Sequence, residues 1–199
     1  MNPIKLVLIG LAMTTLAACT KNIQWEEEVL LNTGETIWVT KKVSYSIQGQ
    51  PGNPADMGYL PDPVESISFK YGGRNFSYRG DASEVMVLAI SPQKVPVLLA
   101  PAGSRGWDIR NSYKCSQPHY VQFVPDSTGV SWEWPKSIES WTYNLPTNLM
   151  LNRDHPTDTK PRYTMADKLK QGFWNDPQLI DIQKVNPLKK SRNCIENKA

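Results

Sequence analysis

Residues 67–79 read Ile-Ser-Phe-Lys-Tyr-Gly-Gly-Arg-Asn-Phe-Ser-Tyr-Arg, and this stretch decides the fold class. Apolar and aromatic residues alternate with polar ones on both sides of Gly72-Gly73. This period of two is typical of half-buried strands, and a glycine pair between two such runs indicates a tight turn. The stretch therefore predicts an antiparallel β-hairpin.

Further strand patterns lie on both sides of this hairpin. Sixteen prolines and twelve glycines divide the chain into many short segments, which favours β structure. Val85–Ile90 and Val95–Ala100 are continuously apolar, which predicts strands buried on both faces, with one buried helical turn as the alternative. We expect a mostly β fold: a compact antiparallel β-sandwich or partly open barrel. The other predicted strands are Glu27–Leu31 and Glu35–Ser46, joined by a turn at Asn32-Thr33-Gly34, then Tyr120–Val124 and Val130–Trp134.

Two regions depart from the strand pattern. The stretch Gln48–Pro63 is rich in proline and glycine and predicts a long loop, because proline cannot donate to a β ladder. Near the C-terminus, Thr164 is placed to cap a short helix that Gly172 would stop, and Asp176–Val185 is a candidate second helix. We therefore expect one or two short C-terminal helices beside the β domain.

The N-terminus has the pattern of a targeting segment. Lys5 precedes the apolar run Leu6–Ala12, which is too short to span a bilayer. The following Leu16-Ala17-Ala18-Cys19 resembles the lipobox of bacterial lipoproteins. The resemblance implies cleavage after Ala18 and acylation of Cys19; the alternative is an ordinary secretory peptide with a chance cysteine. Several acyl chains would make release from the membrane very slow.

The lipobox resemblance also implies a location and a domain order. Thr20 follows the cysteine where an aspartate tends to retain lipoproteins in the inner membrane, so an outer-membrane position in the cell envelope is favoured. We expect a signal peptide (1–18), an acylated tether (19–26), a β-rich domain (27–151) and a C-terminal appendage (152–199) packed on it.

The other two cysteines form an even pair. In an oxidising compartment, Cys115 and Cys194 predict a disulfide that would link the appendage to the β domain. It would close a loop of about 80 residues and contribute about 3 to 4 kcal/mol on the chain-entropy model. Two free thiols are the alternative, whereas a redox pair is disfavoured because the chain has no Cys-x-x-Cys spacing.

The charge balance gives no sign of a nucleic-acid partner. The chain has 22 Lys and Arg against 19 Asp and Glu. The basic residues are scattered, apart from a C-terminal group that indicates a solvated tail or, alternatively, attraction to anionic lipid or glycan. This group consists of Lys184, Lys189, Lys190 and Arg192.

Motifs for catalysis are few. His119 and His155 lie at no metal-site spacing, and we predict no metal, cofactor or catalytic residue. Ser91-Pro92-Gln93-Lys94 matches the Ser-x-x-Lys of penicillin-recognising enzymes, but no partner motif occurs, so a turn is favoured. The acidic run Glu26-Glu27-Glu28 would alternate across a strand, which indicates a solvated edge and not a catalytic carboxylate pair.

Tryptophan is the one residue type in excess, with seven copies. Trp132 and Trp134 alternate and so share one strand face, while Trp107 follows Arg105 in a glycine-containing loop. Core packing is one interpretation; the other is a binding face for an envelope protein or a glycan.

Two functions follow as hypotheses. The first is a lipid-anchored, non-enzymatic binding or accessory module. The second is a periplasmic hydrolase in which the fold brings His119 or His155 next to a serine such as Ser104 or Ser116.

Overall fold

The computed structural model describes residues 20–48, 58–80, 84–102, 116–134, 137–151, 160–170 and 183–190. This part of the chain contains nine strands, a 3-10 turn at Ser140–Thr142 and one short helix. The strands are β1 (Thr20–Leu30), β2 (Thr36–Gln48), β3 (Gly58–Tyr71), β4 (Arg74–Gly80), β5 (Val87–Ile90), β6 (Pro96–Pro101), β7 (Tyr120–Pro125), β8 (Trp132–Glu133) and β9 (Arg162–Tyr163), and the helix is α1 (Met165–Lys170).

The strands form two sheets that pack face to face. The five-stranded sheet has the order β4-β3-β2-β1-β9, and the four-stranded sheet has the order β5-β6-β7-β8. Every pair is antiparallel except β1 with β9, which is parallel. One apolar cluster between the sheets takes side chains from both, including Val29, Val39, Ile67, Leu88, Leu98 and Val121. The predicted mostly β sandwich is confirmed.

The hairpin predicted at 67–79 is confirmed as β3 and β4. Phe69 lies opposite Phe76, and their rings stack with centroids 5.3 Å apart. The predicted pairs β1–β2 and β5–β6 and the strand β7 are also confirmed, and every residue of β5 and β6 is buried. Only Trp132–Glu133 of the predicted strand Val130–Trp134 is extended and paired.

The loop predicted over Gln48–Pro63 is wrong for its second half. Strand β3 already begins at Gly58 and pairs with the end of β2 through Pro61. The register shifts between Val43 and Tyr45, so the ladder is irregular at this place. Prolines are tolerated beside such irregularities because fewer ladder hydrogen bonds are required there.

The solvated edge predicted for the acidic run is also wrong for its central residue. Strand β1 is not an edge strand at this point, because β9 pairs with it at Glu26 and Glu27. Glu27 points into the sandwich and is fully buried. Strand β1 also begins at Thr20, so residues 20–26, which we expected to act as a tether, continue the strand.

The predicted C-terminal helix is confirmed as α1. Thr164 and Asp167 cap it reciprocally: the Asp167 N–H donates to the Thr164 hydroxyl at 3.2 Å, and the Thr164 N–H donates to Asp167 Oδ2 at 3.0 Å. Hydrogen bonds to the Asp167 carboxylate from the N–H and the hydroxyl of Thr164, and from Lys160, lower the pKa of Asp167 to about 2. Most of the candidate second helix, Asp176–Val185, lies outside the described residues.

A tryptophan and a glycine close one side of the sandwich, where β4 and β8 approach each other. The Trp132 indole N–H donates to the carbonyl of Ser77 at 2.8 Å, and the Ser77 N–H donates to the carbonyl of Gly129 at 2.9 Å. A Cβ on Gly129 would lie 2.9 Å from the carbonyl oxygen of Asn75, and its φ is +77°. Only glycine fits this close approach without strain.

Two asparagine amides close the opposite side. The Asn148 amide donates to the carbonyls of Leu30 and Leu88, at 3.0 and 2.8 Å, and accepts from the Leu88 N–H at 2.9 Å. Asn32 forms the same two-way pair with the backbone of Ile90, at 2.7 and 2.9 Å. These side chains supply the hydrogen-bond partners that a neighbouring strand would offer β5, and they connect β5 to β1.

Candidate functional site

A buried acid–base pair joins α1 to the five-stranded sheet. Lys168 Nζ lies 2.7 Å from Glu27 Oε2, and both side chains are almost fully buried. The same ammonium donates to the carbonyls of Glu28, at 2.8 Å, and Asn148. Burial lowers the pKa of Lys168, and the charge of Glu27 opposes that shift.

A second buried pair lies next to the first. Lys41 Nζ is 3.1 Å from Glu65 Oε2, and both side chains are inaccessible to solvent. Lys41 also donates to the carbonyl of Met150 at 2.6 Å, and Glu65 accepts from the Val85 N–H at 2.6 Å. Burial, together with the negative charge of Glu65, raises the pKa of Tyr45 to about 12.

These charges hold a stretch of irregular backbone, residues 148–151, against the sheet. The Met150 N–H donates to both carboxylate oxygens of Glu27, at 2.9 and 3.2 Å, and its carbonyl accepts from Lys41. The carbonyl of Asn148 accepts from Lys168. Buried backbone groups need hydrogen-bond partners. The ion pairs supply here the partners that a β ladder supplies elsewhere. Both ion pairs are fully buried and out of reach of a ligand. We therefore assign them a role in the stability of the fold.

The proposed tryptophan face is half buried. Trp132 packs edge-on against Tyr78, with centroids 5.7 Å apart, and tilts against Phe69 at 6.4 Å. Trp132 and Trp134 both pack against the main core cluster, and Trp132 uses its indole N–H inside the protein. Arg105 and Trp107, the other two members of that face, lie outside the described residues.

His119 stands at the start of β7. Its ring Nδ1 is buried and, in the part of the chain that the structure describes, has no hydrogen-bond partner. Burial and the charge of Lys189 lower the pKa of His119, while a backbone hydrogen bond at Ser116 acts in the opposite direction. Ser116, the described serine of the hydrolase hypothesis, is buried, and its backbone hydrogen-bonds to the His119 ring. His155 and Ser104 lie outside the described residues.

The Ser-x-x-Lys match forms a turn between β5 and β6. The Lys94 N–H donates to the carbonyl of Ser91 at 2.8 Å, and the Ser91 hydroxyl accepts from the Val95 N–H at 3.1 Å. Lys94 has a φ of +63°, which a helix excludes. The lysine therefore does not stand one helical turn from the serine.

A cleft of about 470 Å³ opens at the end of the sandwich where four hairpin turns converge. We call it the hairpin-end cleft. The turns β1–β2, β3–β4, β5–β6 and β7–β8 each contribute to its wall. The lining residues are Glu35, Tyr71, Gly72, Arg74, Phe76, Lys94, Val95, Pro96, Pro125, Asp126 and Ser127.

The cleft combines an aromatic surface with balanced charge. Tyr71 is half buried: its ring packs against the main core cluster, and no described residue hydrogen-bonds to its hydroxyl. Arg74 lies over the Phe76 ring, 5.2 Å from its centroid, and donates to the carbonyl of Ser127 at 2.5 Å. A hydrogen bond from the Thr128 hydroxyl, helped by backbone N–H groups, lowers the pKa of Asp126 and keeps it ionised.

Glu35 and Lys94 complete the charge balance of the cleft. Both side chains are exposed at its rim. Two carboxylates and two cations therefore line one opening, and their formal charges cancel.

Neither a metal centre nor a membrane helix occurs in the part of the chain that the structure describes. No group of three His, Cys, Asp or Glu side chains there is placed to hold a metal ion. Among the same residues, no helix has the length and apolar character needed to cross a bilayer. No protein-family model, curated protein or solved structure matches the chain.

The hairpin-end cleft had no signal in the sequence, because its wall comes from four turns that are far apart along the chain. The buried pairs had a partial signal. Lys41 stands between Val39 and Val43 in an alternating strand, which places it on the inward face.

Proposed function

We propose that this chain is a cell-envelope lipoprotein, held to a membrane by acyl chains on Cys19, which acts as a non-enzymatic binding or accessory module through the hairpin-end cleft. The single observation that carries the binding role is the cleft itself, where a half-buried tyrosine and four charged side chains meet. Concave sites with an apolar wall and a few convergent polar groups are the usual form of a ligand site.

The direction of β1 supports presentation of the cleft away from the membrane. Strand β1 starts at Thr20, next to the proposed acylation site, and ends at Leu30, just before the turn that leads to Glu35. An eleven-residue strand is about 35 Å long at about 3.3 Å per residue. Thr20 and the cleft therefore lie at opposite ends of β1, so an anchor on the preceding residue would direct the cleft away from the membrane. Thr20 favours the outer membrane over the inner membrane.

Acylation is tested by replacing Cys19 with serine. In cells fed an alkyne analogue of palmitate, we expect the native protein to carry label in the membrane fraction. The Cys19→Ser variant is expected to lose the label and to leave the membrane, because serine cannot form the thioether. Cys115→Ser serves as the matched control and should keep the label. A Cys19→Ser protein that remains labelled and sedimentable would rule out the lipid anchor.

We also propose the disulfide between Cys115 and Cys194. Neighbouring described residues support it: the His119 N–H donates to the carbonyl of Lys189 at 2.9 Å, so the segments next to the two cysteines run together. Alkylation under denaturing, non-reducing conditions should leave both thiols unmodified, and prior reduction should expose both to the reagent. Two alkylated cysteines without reduction would contradict the pairing.

A further inference from the structure

The lining of the hairpin-end cleft restricts the charge of its ligand. Two carboxylates, Glu35 and Asp126, and two cations, Arg74 and Lys94, share the lining, so neither an anion nor a cation gains a net electrostatic attraction there. A neutral ligand with hydrogen-bonding groups is the class that suits such a balanced lining. It can also use both kinds of group, because carboxylates accept hydrogen bonds whereas guanidinium and ammonium groups donate them.

Tyr71 restricts the ligand further. The faces of an aromatic ring are electron-rich and attract polarised C–H groups, such as those on one side of a sugar ring. The phenol hydroxyl both donates and accepts, as sugar hydroxyls do. The Tyr71 ring packs against the main core cluster but is only half buried, and no described residue hydrogen-bonds to its hydroxyl, so the outer part of the ring and the hydroxyl are available to a ligand.

An extended peptide fits the cleft less well. Peptides commonly bind by adding a strand to an open sheet edge. The hairpin-end cleft is lined by turns and strand ends, and the neighbouring edge of β4 is engaged by the carbonyl of Gly129 and the indole of Trp132.

We propose that the hairpin-end cleft binds a neutral oligosaccharide, with one sugar ring stacked on Tyr71 and its hydroxyls hydrogen-bonded to Glu35, Asp126, Arg74 and Lys94. This assignment rests on the proposed binding function of the cleft and names its ligand class. Neutral glycans are accessible to a protein presented on a cell envelope.

The test uses the full lipoprotein in nanodiscs and isothermal titration calorimetry. The probes are maltohexaose and the N-acetylglucosamine hexamer as neutral glycans, oligogalacturonate as the anionic glycan and a glucosamine hexamer as the cationic one. We expect a neutral probe to bind roughly tenfold more tightly than either charged probe. Equal or tighter binding of a charged probe, or no binding by any of the four, overturns the proposal.

Two variants of Tyr71 test the stacking. Tyr71→Ala should weaken binding by roughly tenfold or more, whereas Tyr71→Phe keeps the ring and should stay within roughly threefold of the native affinity. The matched control is Trp38→Ala, which removes an exposed aromatic that already carries a guanidinium, that of Arg162, at 4.3 Å. Unchanged binding in a folded Tyr71→Ala protein contradicts the assignment.

The palmitate assay on the same preparation separates the two proposals. A labelled, folded lipoprotein that binds none of the glycans overturns the ligand class and leaves the anchor standing. An unlabelled protein that binds a neutral glycan through Tyr71 overturns the anchor and leaves the ligand class standing.

Discussion

Replacing Lys41 with alanine is expected to reduce the free energy of unfolding by about 3 to 5 kcal/mol, the usual effect of breaking a buried ion pair. The change leaves Glu65 buried without its counter-ion and removes the donor to the carbonyl of Met150. Urea denaturation of the detergent-solubilised lipoprotein, followed by tryptophan fluorescence, measures the loss.

The adjacent Lys42 provides the matched control. Its side chain points to the exposed face of β2, so Lys42→Ala should change stability by less than about 0.5 kcal/mol. Equal effects of the two lysine variants would contradict the structural role of Lys41.

A paired substitution shows whether the destabilisation by Lys41→Ala comes from the lost ion pair alone or also from the lost backbone hydrogen bonds. Replacing a buried ion pair by apolar residues is often neutral or stabilising when the charges serve only each other. Here the double variant Lys41→Met, Glu65→Leu would still leave the Met150 carbonyl and the Val85 N–H without their partners. We therefore expect it to stay at least about 2 kcal/mol less stable than the native protein, in line with about 1 to 3 kcal/mol per unsatisfied buried group. Full recovery would show that charge pairing alone is involved.

The sequence predicted the local elements well because their signals are local. The alternation around Gly72-Gly73 specified the β3–β4 hairpin, and the unbroken apolar runs specified the fully buried β5 and β6. Thr164, the residue just before α1, specified the start of that helix. In each case the residues that decide the structure are near neighbours in the chain.

The misreading of Glu27 and the omission of the hairpin-end cleft came from distant partners. Lys41 donates to a carbonyl 109 positions along the chain, and Glu27 is buried by a helix residue 141 positions away. No periodicity encodes such a pair, so the acidic run around Glu27 resembled a solvent-exposed edge. The hairpin-end cleft was missed for the same reason, because only the packed sandwich brings its four turns together.

Replacing Asn148 with alanine is expected to lower the free energy of unfolding by about 2 to 4 kcal/mol, the second large effect. The change removes all three hydrogen bonds of the amide and leaves the N–H and carbonyl of Leu88 and the carbonyl of Leu30 without that partner. Each buried polar group left unsatisfied costs about 1 to 3 kcal/mol, and water entering at the β5 edge offsets part of the sum.

Two further variants make the Asn148 result specific. Asn75→Ala removes an exposed asparagine side chain from β4 and should have almost no effect. Asn148→Asp keeps the acceptor for the Leu88 N–H but replaces the amide donors with a carboxylate oxygen that faces two carbonyls, so we expect it to be at least as destabilising as alanine.

Because the amide bridges β1 and β5, hydrogen exchange should rise first at Leu88 and Ile90 in both Asn148 variants. Uniform exchange across both sheets would contradict a local role at this edge and place the effect of Asn148 on the sandwich as a whole.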